Sequence, residues 1–550
     1  MSRMEKRIIA KKETGERAKM EKTQIEALRM RVEASFQEYD MTQKQEKHGF
    51  KSFAAHFYHR LRYLYHHILN FCRKKKQHTL TQEQREVQQI RSKTLHARVS
   101  IVVPLYCTPT NFLIQMIDSV REQTYGDWEL CLADGSPWQE KSVERICKNY
   151  EKKDARIHYQ HLPDNYGISG NTNAALAMAK GNYIAFLDHD DILHPAALYE
   201  CVYKLKKEKA DFVYTDEATF VGKSIQNIQT IHRKSGYAPE TLRSVNYICH
   251  FVMVSRKLIK KYGGLDASYN GSQDHELLLR LTQGAKRVVH VPAVLYFWRV
   301  HDQSVSKDIR AKSYAIDAGK AAVRDREADR GFPVCAYSTH MCATQYRLEY
   351  KLIREDTVTA CFLPSSQKRA QTKDRRLLLM EQTKEFVDWK DVETRKKNKE
   401  ILEELERLAK ESSSDYLLFL PYDSIPMTNG WLQQLLMYAQ LPEVCAVGAK
   451  SINGQGNLYS TSSIRRERTG VWVPEQGNGK EIPYEEIGEM GRNFYAHNVD
   501  GLCLQGLLLR RDIILNRQLS VVKCSGQCYI TVTPDAGRMV YQPYAVLLAP

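Results

Sequence analysis

The stretch Asn182 to Asp191 reads Asn-Tyr-Ile-Ala-Phe-Leu-Asp-His-Asp-Asp and constrains the fold more than any other part of the chain. Tyr183 to Leu187 is rich in β-branched and aromatic residues and bounded by polar ones, which predicts a short buried strand. The strand ends in acid, because Asp188, Asp190 and Asp191 stand where the chain leaves the sheet. Pro195 then opens an apolar-periodic segment through Leu198, Val202 and Leu205, the pattern of a helix. Ligands of an open α/β sheet bind at the carboxyl ends of its strands, so chemistry is expected here. A single carboxylate suffices to cap a helix, whereas three clustered like charges repel unless a cation or donors offset them. Hard oxygen ligands in this number suit Mg2+ or Mn2+, which complete their shell with substrate phosphates. Taken alone, the cluster leaves two readings open, a cap with solvated neighbours or a metal-diphosphate site.

The flanking sequence alternates strand and helix. Val99 to Val103 is a β-branched run ending in Pro104-Leu105-Tyr106, and Leu113, Ile117 and Val120 follow at helical spacing. Trp128 to Leu132 predicts a second strand ending at Ala133-Asp134-Gly135-Ser136, and Ile157 to His161 a third. A glycine-bearing loop, 164–170, then leads into an Ala-rich helix over Asn173 to Ala179. This order predicts a parallel sheet covered on both faces.

Read in order, Val-Val-Pro-Leu-Tyr (102–106), Ala-Asp-Gly-Ser (133–136), Asn-Tyr-Gly-Ile-Ser-Gly-Asn-Thr-Asn (165–173), Phe-Leu-Asp-His-Asp-Asp (186–191) and Tyr-Thr-Asp-Glu (214–217) resemble the motifs of family-2 glycosyltransferases with the GT-A fold. Gly263-Gly264-Leu265-Asp266, Ser272-Gln273-Asp274-His275-Glu276-Leu277 and Trp298-Arg299-Val300-His301 resemble the later motifs of the bacterial polysaccharide and O-antigen assembly branch.

The resemblance implies a role for each matching residue. Pro104, Tyr106, Asp134, Asn165, Gly167, Asn173 and Asp188 are expected to bind the nucleotide sugar. Asp190 and His301 are expected at a Mn2+ or Mg2+ ion on the diphosphate, where the ion offsets leaving-group charge. Asp274 is expected as general base, since transfer to an alcohol needs a carboxylate to take the hydroxyl proton. Glu276 competes with it, but two positions apart on a helix only one of the pair can face the cleft. Asp216, Glu217 and Arg299 are expected to border the acceptor. Residue by residue, simpler structural roles compete: Asp134 in a turn, Gly167 and Gly170 in an ordinary loop, Asp274 as a helix cap, and His301 as a hydrogen-bonded structural histidine. Thr172 stands where many relatives have Arg, and the Gln-x-x-Arg-Trp signature of processive synthases is missing. Transfer of one residue or a few is expected rather than processive polymerisation.

A second copy of the opening stretch lies further on. Tyr-Leu-Leu-Phe-Leu-Pro-Tyr-Asp-Ser-Ile (416–425) matches residues 183–192 at a constant offset, and the run from Val540 echoes that from Val289. The fold signal survives while the acids do not: Pro421 replaces Asp188, Ser424 replaces Asp191, and Asp423 alone stands opposite Asp190. The expected architecture is therefore α/β, with a helical, basic amino-terminal region (1–97), a catalytic GT-A domain with a Rossmann-like mixed sheet (98–346) and a second, degenerate GT-A-like domain (354–550). The second domain is expected to bind acceptor glycan or to act as scaffold.

In the amino-terminal region Ile25, Leu28, Val32 and Phe36 form one narrow helical seam. Phe53 to Phe71 places aromatic anchors beside the basic run 73–76, which fits either a helix lying on an anionic membrane or one packed on the next domain. Lys and Arg number 81 against 65 Asp and Glu, so an acidic partner is expected. No nucleic-acid-binding module accompanies the charge. The thirteen cysteines are scattered without zinc-finger spacing, no run reaches the ~18 apolar residues of a membrane span, and no signal peptide is recognisable. These features predict a cytoplasmic enzyme, at most peripheral on the inner membrane face. The family resemblance implies that it takes a nucleotide-diphosphate sugar and inverts the anomeric centre while extending a glycan, expected to be lipid-linked. A non-catalytic glycan-binding or scaffold protein of the same assembly complex is the rival expectation.

Overall fold

The computed structural model describes residues 23–34, 36–38, 80–301, 313–363, 386–392, 398–421, 424–460, 462–465, 472–474, 482–524 and 527–548. The aromatic and basic segment 53–76 lies outside the described residues, as does Asp423. The chain divides into two compact units, one of residues 40–238 and 246–326, the other of residues 1–39, 239–245 and 327–550.

The unit containing 40–238 is built on strands β1 (Val99–Leu105), β2 (Trp128–Asp134), β3 (Ile157–His161), β4 (Tyr183–Phe186), β5 (Ile192–Leu193), β6 (Phe212–Val221), β7 (Ile228–His232), β8 (Val252–Ser255) and β9 (Val288–Val300). They form one sheet in the order β3-β2-β1-β4-β8-β6-β9-β5, with β7 on β6. β1 pairs in parallel with β2 and β4, β8 runs antiparallel to β4 and β6, and β9 is parallel to β6. The sheet is thus mixed rather than all parallel. β1 is buried at Ile101, Val103 and Leu105, as its β-branched composition dictates, and these side chains share a core with Leu113, Ile117 and Val120 of the helix Thr110–Arg121. Register aligns Leu105 with Asp134 and Val102 with Phe186, so Pro104, Asp134 and Asp188 all emerge at one edge.

The segment expected as a loop at 164–170 folds differently. Gly167, at φ +71°, already opens the helix Gly167–Met178, and Gly170 lies within it. A side chain at Gly170 would collide with the Cβ of Tyr166, so this glycine serves close packing of the helix start.

The other unit repeats the plan. After the hairpin β10 (Val334–Thr339) and β11 (Cys342–Tyr350) come β12 (Val358–Leu363), β13 (Phe386–Asp391), β14 (Tyr416–Pro421), β15 (Ile425–Pro426), β16 (Val444–Ile452), β17 (Leu458–Ser460), β18 (Ser462–Arg465) and β19 (Trp472–Pro474). β20 (His497–Val499), β21 (Gly501–Cys503), β22 (Leu507–Arg510), β23 (Leu519–Cys524), β24 (Gln527–Val532) and β25 (Arg538–Leu548) complete it. Its main sheet runs β13-β12-β14-β22-β16-β25-β15. Strand for strand this is the order β2-β1-β4-β8-β6-β9-β5 with the same relative directions. The sequence repeat therefore reflects a repeated fold.

Among the differences between the copies, two concern added elements. Between β22 and β25 the chain forms the short helix Arg511–Leu515 and the strands β23 and β24. These two join the sheet β19-β18-β21-β24-β23, where the first copy has the helix Gln273–Gly284. The second difference is the amino-terminal helix, residues 23–34, whose seam packs on this unit: Leu28 and Val32 are buried with Ile425, Met427, Ile452 and Val546, and Ile25 and Phe36 lie against them. Residues 239–245 belong to the same unit, with Glu240 buried between Arg243 and Arg538.

Candidate active site

The three acids after β4 occupy three different environments. Asp191 is fully buried; its carboxylate accepts from the backbone N–H of Arg299 at 2.7 Å and from the Tyr296 hydroxyl. Burial, reinforced by the charges of Asp190 and Asp188, holds its carboxyl well above the usual range. Asp190 is partly exposed, with Oδ2 at 2.8 Å from Nε2 of His301. Asp188 is the most open, its side chain 45% exposed. Asp191 thus fastens the strand end to β9, and Asp188 and Asp190 remain for a ligand.

Asp188 lines an open cleft whose walls include Pro104 at the end of β1, Phe186 at the end of β4, and Asp274 and Leu278 on the helix Gln273–Gly284. Asp274 does not cap that helix, since the N-cap is Ser272. Its Oδ2 accepts from Nδ2 of Asn246 at 3.0 Å and from the thiol of Cys249 at 3.3 Å. Glu276, buried behind it, is held by the Arg280 guanidinium at 2.8 and 2.7 Å. Of the two competing carboxylates only Asp274 faces the cleft.

The residues expected to hold the nucleotide cluster near the same edge, but several use their side chains internally. Asp134 is buried and accepts from the Ser136 N–H and the Tyr159 hydroxyl, each at 2.9 Å. Asn165 Oδ1 accepts from the Gly167 N–H and from Nδ2 of Asn171. Asn173 clamps the backbone of Leu265 through both ends of its amide. Tyr106, by contrast, is 47% exposed beyond the end of β1.

The residues expected at the acceptor side, Asp216, Glu217 and Arg299, are all buried. Asp216 accepts from the Lys234 N–H at 2.9 Å and contacts Nε2 of His290 at 2.8 Å. The Arg299 guanidinium lies between the rings of Phe112 and Phe220 and donates to the carbonyls of Asp190 and Gly222. Glu217 contacts His232 at 2.8 Å and Lys234 at 3.6 Å, and it accepts from the backbone N–H of His250. These three groups shape the site from within rather than presenting an open face.

Asn246, Cys249 and His250 were not legible as site residues, because no motif spacing or periodicity marks the segment. His250 lines the cleft, its ring stacked on Tyr296 with centroids 5.0 Å apart. Burial alone would push its imidazole down, but the hydrogen bond and charge of Glu217, with Asp188 and Asp191 adding, raise it to about 9.

Among the described residues no three His, Cys, Asp or Glu side chains converge to enclose a metal ion. The pair Asp190 and His301 nevertheless fits a divalent cation that shares its shell with a bound diphosphate, since such ions need only one or two protein ligands.

Comparison with known proteins agrees with the sequence motifs. Residues 100–263 match the model of Glycosyl transferase family 2. An uncharacterised protein of Sinorhizobium fredii is 35% identical over 242 residues, covering 43% of this chain and 26% of its own length. The O-antigen biosynthesis protein RfbC of Myxococcus xanthus is 27% identical over 391 residues, covering 66% of this chain and 30% of its own. Chondroitin synthase of Pasteurella multocida is 28% identical over 239 residues, covering 42% and 24%. The chain thus spans between 24% and 30% of the length of these relatives. Residues 100–263, the span that matches glycosyl transferase family 2, include Asp188, Asp190 and Asp191, while Asp274 lies beyond it.

Proposed function

We propose that this chain transfers a sugar from a nucleotide-diphosphate donor to a hydroxyl of a growing polysaccharide, with inversion and with Asp274 as general base. The observation that carries the reading is the state of Asp274. Asn246 and Cys249 occupy Oδ2, Oδ1 has no hydrogen-bond partner among the described residues, and the side chain lines the cleft that Asp188 borders. A carboxylate held by one oxygen keeps the other for the acceptor proton. As that proton moves to Asp274, the acceptor oxygen forms its bond to the anomeric carbon. The bond to the phosphate oxygen breaks on the opposite face, and the nucleoside diphosphate leaves with the electron pair. Asp190 and His301 would hold a Mn2+ or Mg2+ ion, whose contribution when bound is to offset charge on the departing diphosphate. A polysaccharide acceptor is supported by the names of the relatives, which concern O-antigen biosynthesis and chondroitin synthesis. A lipid-linked acceptor and contact with an anionic membrane through 53–76 belong to the same reading.

The second copy of the fold has Pro421 and Ser424 at the acid positions and strands β23 and β24 where the first copy has its Asp274 helix. These losses favour a binding or scaffolding role for that unit, with catalysis confined to the first copy.

The test is release of nucleoside diphosphate from a panel of nucleotide sugars, with Mn2+, Mg2+ or EDTA, by the wild type, Asp190→Ala and Asp274→Asn. Metal-dependent release that Asp190→Ala abolishes is expected. Asp274→Asn should still bind donor while losing acceptor-dependent transfer by about 100-fold or more. Failure of every nucleotide and nucleotide sugar to bind in calorimetry would overturn the reading.

A further inference from the structure

The cleft is lined by acids, apolar groups and the neutral polar side chains of Thr172, Cys249 and Gln273, and among its described lining residues only one side chain is basic. That residue is His250. Thr172, the hydroxyl on the facing wall, donates to the carbonyl of Ile168 at 2.7 Å within its own helix. A diphosphate entering beside Asp188 and Asp274 would meet carboxylates unless a fixed cation accompanied it.

His250 is built as such a cation. Its Nδ1 lies 3.3 Å from Oε2 of Glu217, a carboxylate whose side chain is only 4% exposed and which also accepts the His250 backbone N–H. The ring is stacked on Tyr296, which fixes its plane. With Nδ1 directed to Glu217, Nε2 is the edge left for the cleft. It stands 3.7 Å from Oδ2 of Asp188, beyond ordinary hydrogen-bond reach.

We propose that Nε2 of His250 donates a hydrogen bond to the distal, sugar-bearing phosphate of the bound nucleoside diphosphate. His250 is then a donor-binding residue, and Glu217 is the positioning residue that holds its ring. The inference rests on the glycosyl-transfer reading of this cleft. It adds a protein cation to whatever charge a metal supplies, and it gives buried Glu217 a role on the donor side. The competing role for His250 is orientation of Asp188, which would affect the nucleoside part of a ligand as much as its distal phosphate.

Calorimetry in EDTA, where no metal bridges the phosphates, separates these roles. UDP and GDP are titrated against UMP and GMP into the wild type and His250→Gln. His250→Gln should weaken the diphosphate that the wild type binds by about tenfold or more, while the matching monophosphate changes by less than about twofold. Equal weakening of both, or of neither, would overturn the proposal. Absence of binding to every nucleotide by the wild type, with and without Mg2+, would instead remove the glycosyl-transfer reading and this inference with it. Carbethoxylation of His250 in the wild type, followed by mass spectrometry, gives a readout that needs no variant. The diphosphate should slow it and the monophosphate should not; equal protection by both would count against the contact.

Discussion

The Tyr296 hydroxyl donates to the carboxylate of Asp191 and accepts from the backbone N–H of Asp188 at 3.4 Å, so one phenol on β9 holds both ends of the acidic turn after β4. Asp191 is fully buried, and removing its donor leaves a buried carboxylate short of a partner. Tyr296→Phe should therefore destabilise the unit built on β1 to β9 by roughly 1–3 kcal/mol, read as a lower midpoint in urea. An unchanged midpoint would show that Asp191 does not depend on this bond.

Arg280 holds Glu276 behind the helix that presents Asp274, and it also donates to the carbonyl of Gly264 at 2.7 Å. Among the described residues, Arg280→Ala would leave buried Glu276 only the Arg326 guanidinium, 3.8 Å away, at a cost of about 2–3 kcal/mol, whereas replacing both partners with apolar residues, as in Glu276→Leu with Arg280→Met, should recover much of it. Denaturant midpoints of the single and double variants check this. A single variant as stable as the wild type would show that the pair does not set the helix position.

Lys450 on β16 is buried, and its ammonium donates to the carbonyl of Asn493 at 2.8 Å. Burial lowers its pKa to about 7 from 10.5, the Glu485 charge opposing. Between those values the unfolded chain binds the proton more tightly, so this group makes stability rise with pH from about 7 to about 10.5. Lys450→Met should flatten that slope and raise stability at neutral pH. Urea melts at pH 7 and pH 9.5 test it, and an equal slope in both proteins would refute the assignment.

The seam of the amino-terminal helix tests whether that helix is part of the fold. Leu28 is 5% exposed among Ile425, Met427 and Val546. Leu28→Ala should cost about 2–5 kcal/mol, and Arg29→Ala much less, since among the described residues its guanidinium makes a part-buried bond to the Pro426 carbonyl. Equal effects of the two changes would mean that the helix does not pack on this core.

Much of the architecture was legible in the chain itself. The run ending in Asp188 marked a strand, the match of 416–425 to 183–192 marked a second copy, and Ile25, Leu28 and Val32 marked a helix with one buried stripe, Phe36 lying in the turn beyond it. Each is local, because strand and helix periodicities and the acids at a strand end are written within about ten to fifteen residues. The start of the helix at Gly167 was less legible, since its glycines read equally as a loop.

Other features depended on tertiary structure. Three clustered aspartates look alike in sequence, yet Asp191 is taken inward by Tyr296 while Asp188 stays in the cleft. Asp216, Glu217 and Arg299 carry charge but are enclosed by His290, Lys234, His250, Phe112 and Phe220, so none of them opens to an acceptor. Asn246, Cys249 and His250 meet Asp274, Glu217 and Asp188 across segments distant in the chain. Sequence determined which strands form and where acids leave them, because those signals are short-range. The register of β4, β6, β8 and β9 decided which side chains face the cleft, because burial and hydrogen bonding between distant residues are fixed only when the sheet is assembled.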